Sequence, residues 1–170
     1  QELRGQRVSL DPDTPLGPDS SDAALLSAGA AVMSGLMMTG GGDLDTIRSG
    51  TTRLIDGLGL MRDVIIDQHF LKRGRFNRLA GAVLDNPQML GVGIDEATAL
   101  IVKGREFEVA GKSNVIVVDA RNTPRTAAKP EAGEAASGVN LSLHVLKAGM
   151  KFHVDKGTAT PSETVLGGGQ

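Results

Sequence analysis

Three short stretches of this 170-residue chain end an apolar run on a side chain that can do chemistry. "AALL" (23–26) runs into Ser27, "DVII" (63–66) into Asp67, Gln68 and His69, and "GVGI" (91–94) into Asp95 and Glu96. A serine hydroxyl is a weak nucleophile until a neighbouring base takes its proton. An imidazole can be that base near neutral pH, and a carboxylate behind it fixes its tautomer and stabilises its charged form. Ser27, His69 and Glu96 therefore supply the parts of a serine-type triad. Each also has a plainer use: serine as a helix N-cap, histidine as a hydrogen-bonded structural residue, and Asp67, Asp95 and Glu96 as turn or capping residues.

Just behind the histidine, "RGRFNR" sets Arg73, Arg75 and Arg78 within six residues. Arg75 and Arg78 stand three apart, so a helix would turn both the same way. Guanidinium forks bind carboxylates bidentately, which suits an anionic substrate; a solvated basic face pairing with local acids is the alternative.

These residues need a scaffold. "DVIID" (63–67) has the β-branched, apolar character of a strand covered on both faces. The next twenty residues, "QHFLKRGRFNRLAGAVLDNP", turn into a helix: Phe76, Leu79, Ala80, Val83 and Leu84 follow i, i+3, i+4, i+7, i+8 spacing and Asn86-Pro87 stops it. Further strands are predicted at 89–96, 98–102, 106–109 and 114–119, with a closing hairpin over 139–154 turning at Ala148-Gly149. Upstream, "AALL" and the stretch "AGAAVMSGLMM" (28–38) read as strand, turn and buried helix, closed by "TGGGD"; residues 44–62 read as loop and short helix. The fold class is α/β, a sheet of the doubly wound type with an antiparallel C-terminal extension. In such sheets ligands sit outside the carboxyl ends of the strands, where all three polar groups fall.

Composition narrows the function classes. With 40% hydrophobic residues the chain can bury the core of one domain, expected over 23–156. Residues 1–22, rich in Pro, Asp and Ser, read as an exposed or processed loop, 124–138 as a flexible loop, and 157–170 as a disordered tail. Eighteen basic and 20 acidic side chains leave a net charge of −2 with no basic block, which argues against nonspecific nucleic-acid binding. Four Phe and no Trp or Tyr offer no stacking platform for bases or sugars. No apolar run approaches the ~20 residues a membrane-spanning helix needs, so no membrane role is expected. The lack of cysteine removes disulfides, thiolate metal sites and a cysteine nucleophile without fixing the compartment. Neither a cofactor nor a metal is called for.

At "IDQHFLKRGRFNRL", followed by "GVGIDEATALIV" and preceded by "SAGAAVMSG", the chain resembles the cyanophycinase family of serine peptidases, from about Ala24 to "VNLSLHVLKAGMKF". Aspartyl dipeptidases of the same fold share the serine segment but not the "DQHF" and "RGRFNR" block. The resemblance implies a fold like that of class I glutamine amidotransferases. It also implies hydrolysis of cyanophycin, a polyaspartate backbone carrying arginine on each β-carboxyl, to β-aspartyl-arginine dipeptides. By motif, Ser27 matches the nucleophile, His69 the general base and Glu96 the residue that orients it. Asp67, Gln68, Arg73, Arg75 and Arg78 match residues that bind substrate or shape the site.

The pattern departs in two places. Around the nucleophile the family reads G-T-S-A-G; here Gly29 fits, but Leu25 stands where a small residue lets strand and helix pass closely. Members also carry roughly a hundred further residues before the serine, including the first strands of the sheet and a substrate-binding glutamine. The expectation is thus a partial sheet joined by an N-terminal companion segment or chain, the assembled unit forming a homodimer. The competing expectation is a catalytically silent relative that serves as a binding or structural subunit.

Overall fold

The computed structural model describes residues 33–124 and 130–161. Within them ten strands and one helix follow in the order β1 (Ser34–Gly41), β2 (Thr52–Asp56), β3 (Met61–Gln68), α1 (Phe76–Asp85), β4 (Leu90–Ile94), β5 (Thr98–Lys103), β6 (Glu106–Gly111), β7 (Val115–Asp119), β8 (Ser142–Leu146), β9 (Lys151–His153) and β10 (Thr158–Thr160). Six strands form one sheet, ordered β2-β1-β3-β4-β7-β8, and four form a second, ordered β10-β9-β6-β5. In the larger sheet β1, β3 and β4 run parallel, while β2, β7 and β8 join antiparallel. This is the mixed α/β class with the expected antiparallel extension.

Alternation along the central strands sorts two cores. Val64 and Ile66 of β3 and Leu90, Val92 and Ile94 of β4 pack toward the second sheet against Phe107, Val109, Phe152 and Val154. Ile65 faces the other way, into a cluster with Phe70 and with Leu79, Ala82 and Val83 of α1. Burial on both faces is why these strands read as unbroken apolar runs. On β4 the residues turned toward α1 are glycines, and that absence of side chains is a packing requirement. A Cβ on Gly93 would collide with the Phe70 ring, and one on Gly91 with Val83 and Leu79. The helix and the turn ahead of it can therefore lie directly on the sheet.

The helix α1 is shorter than its sequence pattern. Residues 69–75 form turns, with Arg73 N–H donating to His69 O and Arg75 N–H to Phe70 O; regular helix begins at Phe76 and stops at Asn86 as expected. Phe76 belongs to the exposed side rather than the buried face. Further expectations are corrected. The buried helix predicted through Met38 is replaced, from Ser34 on, by β1, whose Leu36 and Met38 pack toward α1 while Met37 packs toward the second sheet. A strand apolar on both faces hides its period of two, so "SGLMM" is ambiguous from sequence. Residues 52–56, expected as loop or short helix, form β2, which pairs with β1.

The predicted closing hairpin is also absent. β8 pairs with β7 in the larger sheet, and β9 pairs with β6 and β10 in the smaller. The turn at Lys147–Met150, with Gly149 at φ 83°, carries the chain between sheets, so Leu146 and Phe152 both enter the inter-sheet core. Residues 130–138, read as flexible, are tied to the segment 47–49: Ser49 N–H bonds Glu134 O, Gly133 N–H bonds Ser49 O and Ala136 N–H bonds Ile47 O. Backbone pairing needs no large side chains, which is why composition did not reveal it. Thr158–Thr160, placed in the expected tail, form β10. The predicted loop 1–22, residues 125–129 and the tail beyond 161 lie outside the described residues.

Because Gly93 gives Phe70 its seat, Gly93→Ala should destabilise the protein by about 1–3 kcal/mol, the usual cost of forcing a methyl group into a packed site. Urea unfolding with an unchanged m-value is the check; an unaltered midpoint would show that Phe70 can move aside freely.

Candidate active site

The site follows from the β3–β4 register. Asp67 stands opposite Gly93 and Gln68 opposite Ile94, so both strands reach their carboxyl ends together and His69 emerges beside Asp95 and Glu96. Phe70 N–H donates to Ile94 O at 3.3 Å, closing the two ends. His69 (φ 50°) and Ala97 (φ 52°) both take left-handed backbone conformations, which side-chain-bearing residues adopt at some cost. The chain thus turns sharply after each strand, immediately after Gln68 on one side and immediately after Glu96 on the other.

Those turns bring the expected pair together. Nδ1 of His69 lies 3.3 Å from Oε1 of Glu96, with both side chains half-buried. An imidazole that gives its Nδ1 proton to a carboxylate keeps Nε2 as the proton-accepting nitrogen, the arrangement a general base requires. The other carboxylate oxygen of Glu96 accepts from Lys72 Nζ at 2.8 Å. The Lys72 hydrogen bond, assisted by His69, holds the Glu96 carboxyl below its ordinary value of 4.5 against the opposing effect of burial. Asp95 is built into the frame instead: its Oδ2 accepts from the Ser113 hydroxyl at 2.8 Å and its Oδ1 from Lys72 N–H at 3.3 Å. Lys72 and Ser113 were not singled out in the sequence; the only signal for Lys72 was its place in the turn three residues after His69.

The arginine cluster divides. Asp67, 2% exposed, points from β3 toward α1 and is met bidentately by Arg78, whose Nε lies 2.7 Å from Oδ2 and whose Nη2 bonds Oδ1. Arg75 Nη1 donates to Gln68 O at 2.6 Å and approaches Asp67 Oδ1 at 3.4 Å. Burial, then the like charge of Arg78, lowers the Arg75 pKa. These two side chains hold the end of β3 to the start of α1, whereas Arg73 is exposed. Gln68 is half-buried at the strand end. Ser27, the expected nucleophile, and its neighbours Leu25 and Gly29 lie outside the described residues. No described helix is long and apolar enough to cross a membrane.

Comparison with known proteins identifies the family. A family model described as peptidase family S51 matches residues 25–110, a span that includes Ser27, His69, Glu96 and the arginines. The chain is 41% identical to the cyanophycinase of Trichormus variabilis over 139 residues, covering 80% of this chain and 46% of that protein, and the cyanophycinase of a Nostoc species matches to the same extent. The cyanophycinase of Synechococcus elongatus is 40% identical over 125 residues, 72% of this chain and 39% of that protein. The chain thus spans about half the length of these relatives. Among solved structures, a peptidase from an acI-B1 actinobacterium aligns with a TM-score of 0.44 and 23% identity over 75% of this chain and 43% of that one.

Two predictions follow from the ion pairs. Arg78→Ala removes the bidentate partner of a buried carboxylate and should cost about 3–5 kcal/mol, read by denaturant unfolding; an unaltered midpoint would show that Asp67 is held without it. Glu96, with its carboxyl lowered, contributes stability above its ordinary titration range that is lost as pH falls through the lowered value. The stability difference between wild type and Glu96→Gln should be about 1 kcal/mol or less at pH 7 and shrink as pH falls below the ordinary carboxylate range. A difference that grew on acidification would contradict the pairing.

Proposed function

The chain belongs to peptidase family S51, and we propose that it carries the acid–base part and the nucleophile of a serine-type peptidase acting on cyanophycin. The observation that carries this reading is the His69–Glu96 contact at the carboxyl ends of two parallel strands. His69 Nε2 takes the proton of the Ser27 hydroxyl as Oγ attacks a backbone carbonyl carbon, forming the acyl-enzyme bond. The imidazolium, stabilised by Glu96, returns that proton to the leaving amine as the peptide bond breaks. Water, deprotonated by His69, then hydrolyses the ester and frees Ser27. With cyanophycin as substrate the product is the β-aspartyl-arginine dipeptide.

Substrate chemistry is consistent with the charges at the site. A polymer whose arginyl branches each carry a guanidinium and a free α-carboxylate needs groups of both signs. Exposed Arg73 and the accessible parts of Arg75 and Gln68 are the positions assigned to it, with Arg78 and Asp67 holding the wall behind them. The finer parts of the proposal are the N-terminal companion segment, which would complete sheet and site, and a homodimer of the assembled unit.

A fluorophosphonate probe should label Ser27, with loss of labelling in His69→Ala, and the protein should release β-aspartyl-arginine from cyanophycin. Ser27→Ala and His69→Ala should each lower turnover at least about a thousandfold, their double variant little more, and Glu96→Gln less than either. Full turnover in Ser27→Ala would refute the nucleophile; polymer binding without labelling would instead identify a binding subunit. Arg73→Lys should weaken binding at matched salt although the charge remains, because the planar fork is lost. Unchanged kinetics in that variant would remove Arg73 from the substrate site.

A further inference from the structure

One carboxylate in the site has two partners. Glu96 presents Oε1 to His69 and Oε2 to Lys72, and the lysine contact is the shorter, 2.8 Å against 3.3 Å. The lysine is not held there by burial, since its side chain is 63% exposed. Its backbone is what fixes it: Lys72 N–H bonds Asp95 Oδ1, and Asp95 is in turn held by the Ser113 hydroxyl. The ammonium is thus delivered to Glu96 by the same frame that sets the ends of β4 and α1's leading turn.

From this sharing we infer that Lys72 is a positioning residue which takes up one oxygen of Glu96 and so limits the pull of the carboxylate on His69, keeping the imidazole available as a base at neutral pH. The inference rests on the proposed role of His69 but concerns a different residue, one to which the family resemblance gave no role. A carboxylate left wholly to the imidazole favours the imidazolium, which cannot accept a proton. A second cation on the same carboxylate opposes that preference in two ways, by engaging part of the charge and by repelling a positive ring nearby. The charged groups on the two turns that meet at His69 are Asp95 and Glu96, after β4, and Lys72, Arg73 and Arg75, after β3. Among them Lys72 is bonded to the carboxylate that His69 also meets. The lowered Glu96 carboxyl, with Lys72 as the largest cause, agrees with this division.

The test is an NMR titration of the His69 imidazole in wild type, Lys72→Met and Lys72→Arg, alongside the acid limb of kcat/KM on cyanophycin. Lys72→Met should move both upward by about half a pH unit, the scale of a half-exposed ion pair, whereas Lys72→Arg should leave both near the wild-type value. A merely structural lysine would alter stability without moving the titration. An unchanged or lowered His69 titration in Lys72→Met would overturn the inference, as would an equal upward shift in Lys72→Arg. The titration reads the inference directly, so it stands or falls there even if the peptidase assays fail; loss of the proposed function would be seen separately, as an unlabelled Ser27.

Discussion

The parallel register of β3 and β4 is the constraint from which the rest of the site descends. Five residue pairs, from Val64–Leu90 to Gln68–Ile94, bring both strands to their carboxyl ends at one level. A slip of one residue would turn Asp67 from α1 toward the second sheet and carry Glu96 away from His69. Against that slip stands burial on both faces. Val64, Ile66, Val92 and Ile94 would have to leave the inter-sheet core, and Gly91 and Gly93 would no longer lie under Leu79, Val83 and Phe70. The proposed catalytic arrangement is thereby specified by apolar packing some residues away from it.

The second layer of support is electrostatic and local. Asp67 is nearly inaccessible, and the bidentate Arg78 together with Arg75 compensates its charge within the fold. Such a pair adds little net stability compared with an apolar replacement, but it has one geometry, and breaking it is costly. It ties the end of β3 to the first turns of α1, so the loop carrying His69, Lys72 and Arg73 is anchored at both ends. Arg75 and Arg78 thus commit most of their charge to holding the wall, while Arg73 lies at an exposed position.

Much of this was legible in the sequence, and the rest was hidden for identifiable reasons. The strands at 63–67, 89–96 and 114–119 and the stop at Asn86-Pro87 were readable because apolar runs and turn residues are local signals. His69 and Glu96 were both read at strand ends, and the register sets them side by side there. What could not be read were choices made by distant partners. "SGLMM" forms a strand because β2 and β3 flank it, and β8 and β9 part company because each finds a different sheet. The commitment of Arg75 and Arg78 to Asp67 was half visible: Asp67 shares the parity of Ile65 and so must face the helix, but that it would claim both arginines depends on burial. Lys72 left no trace beyond its position, because an exposed lysine in a turn is ordinary.

The central claim is that Glu96 orients His69 so that Nε2 is the proton-accepting nitrogen. Nitrogen-15 NMR of the selectively labelled imidazole reads this directly at a pH where His69 is neutral. The account predicts the tautomer protonated at Nδ1, with that proton coupled through its hydrogen bond to Glu96 and the preference weakened in Glu96→Gln. A neutral His69 protonated at Nε2, unchanged by Glu96→Gln, would contradict it.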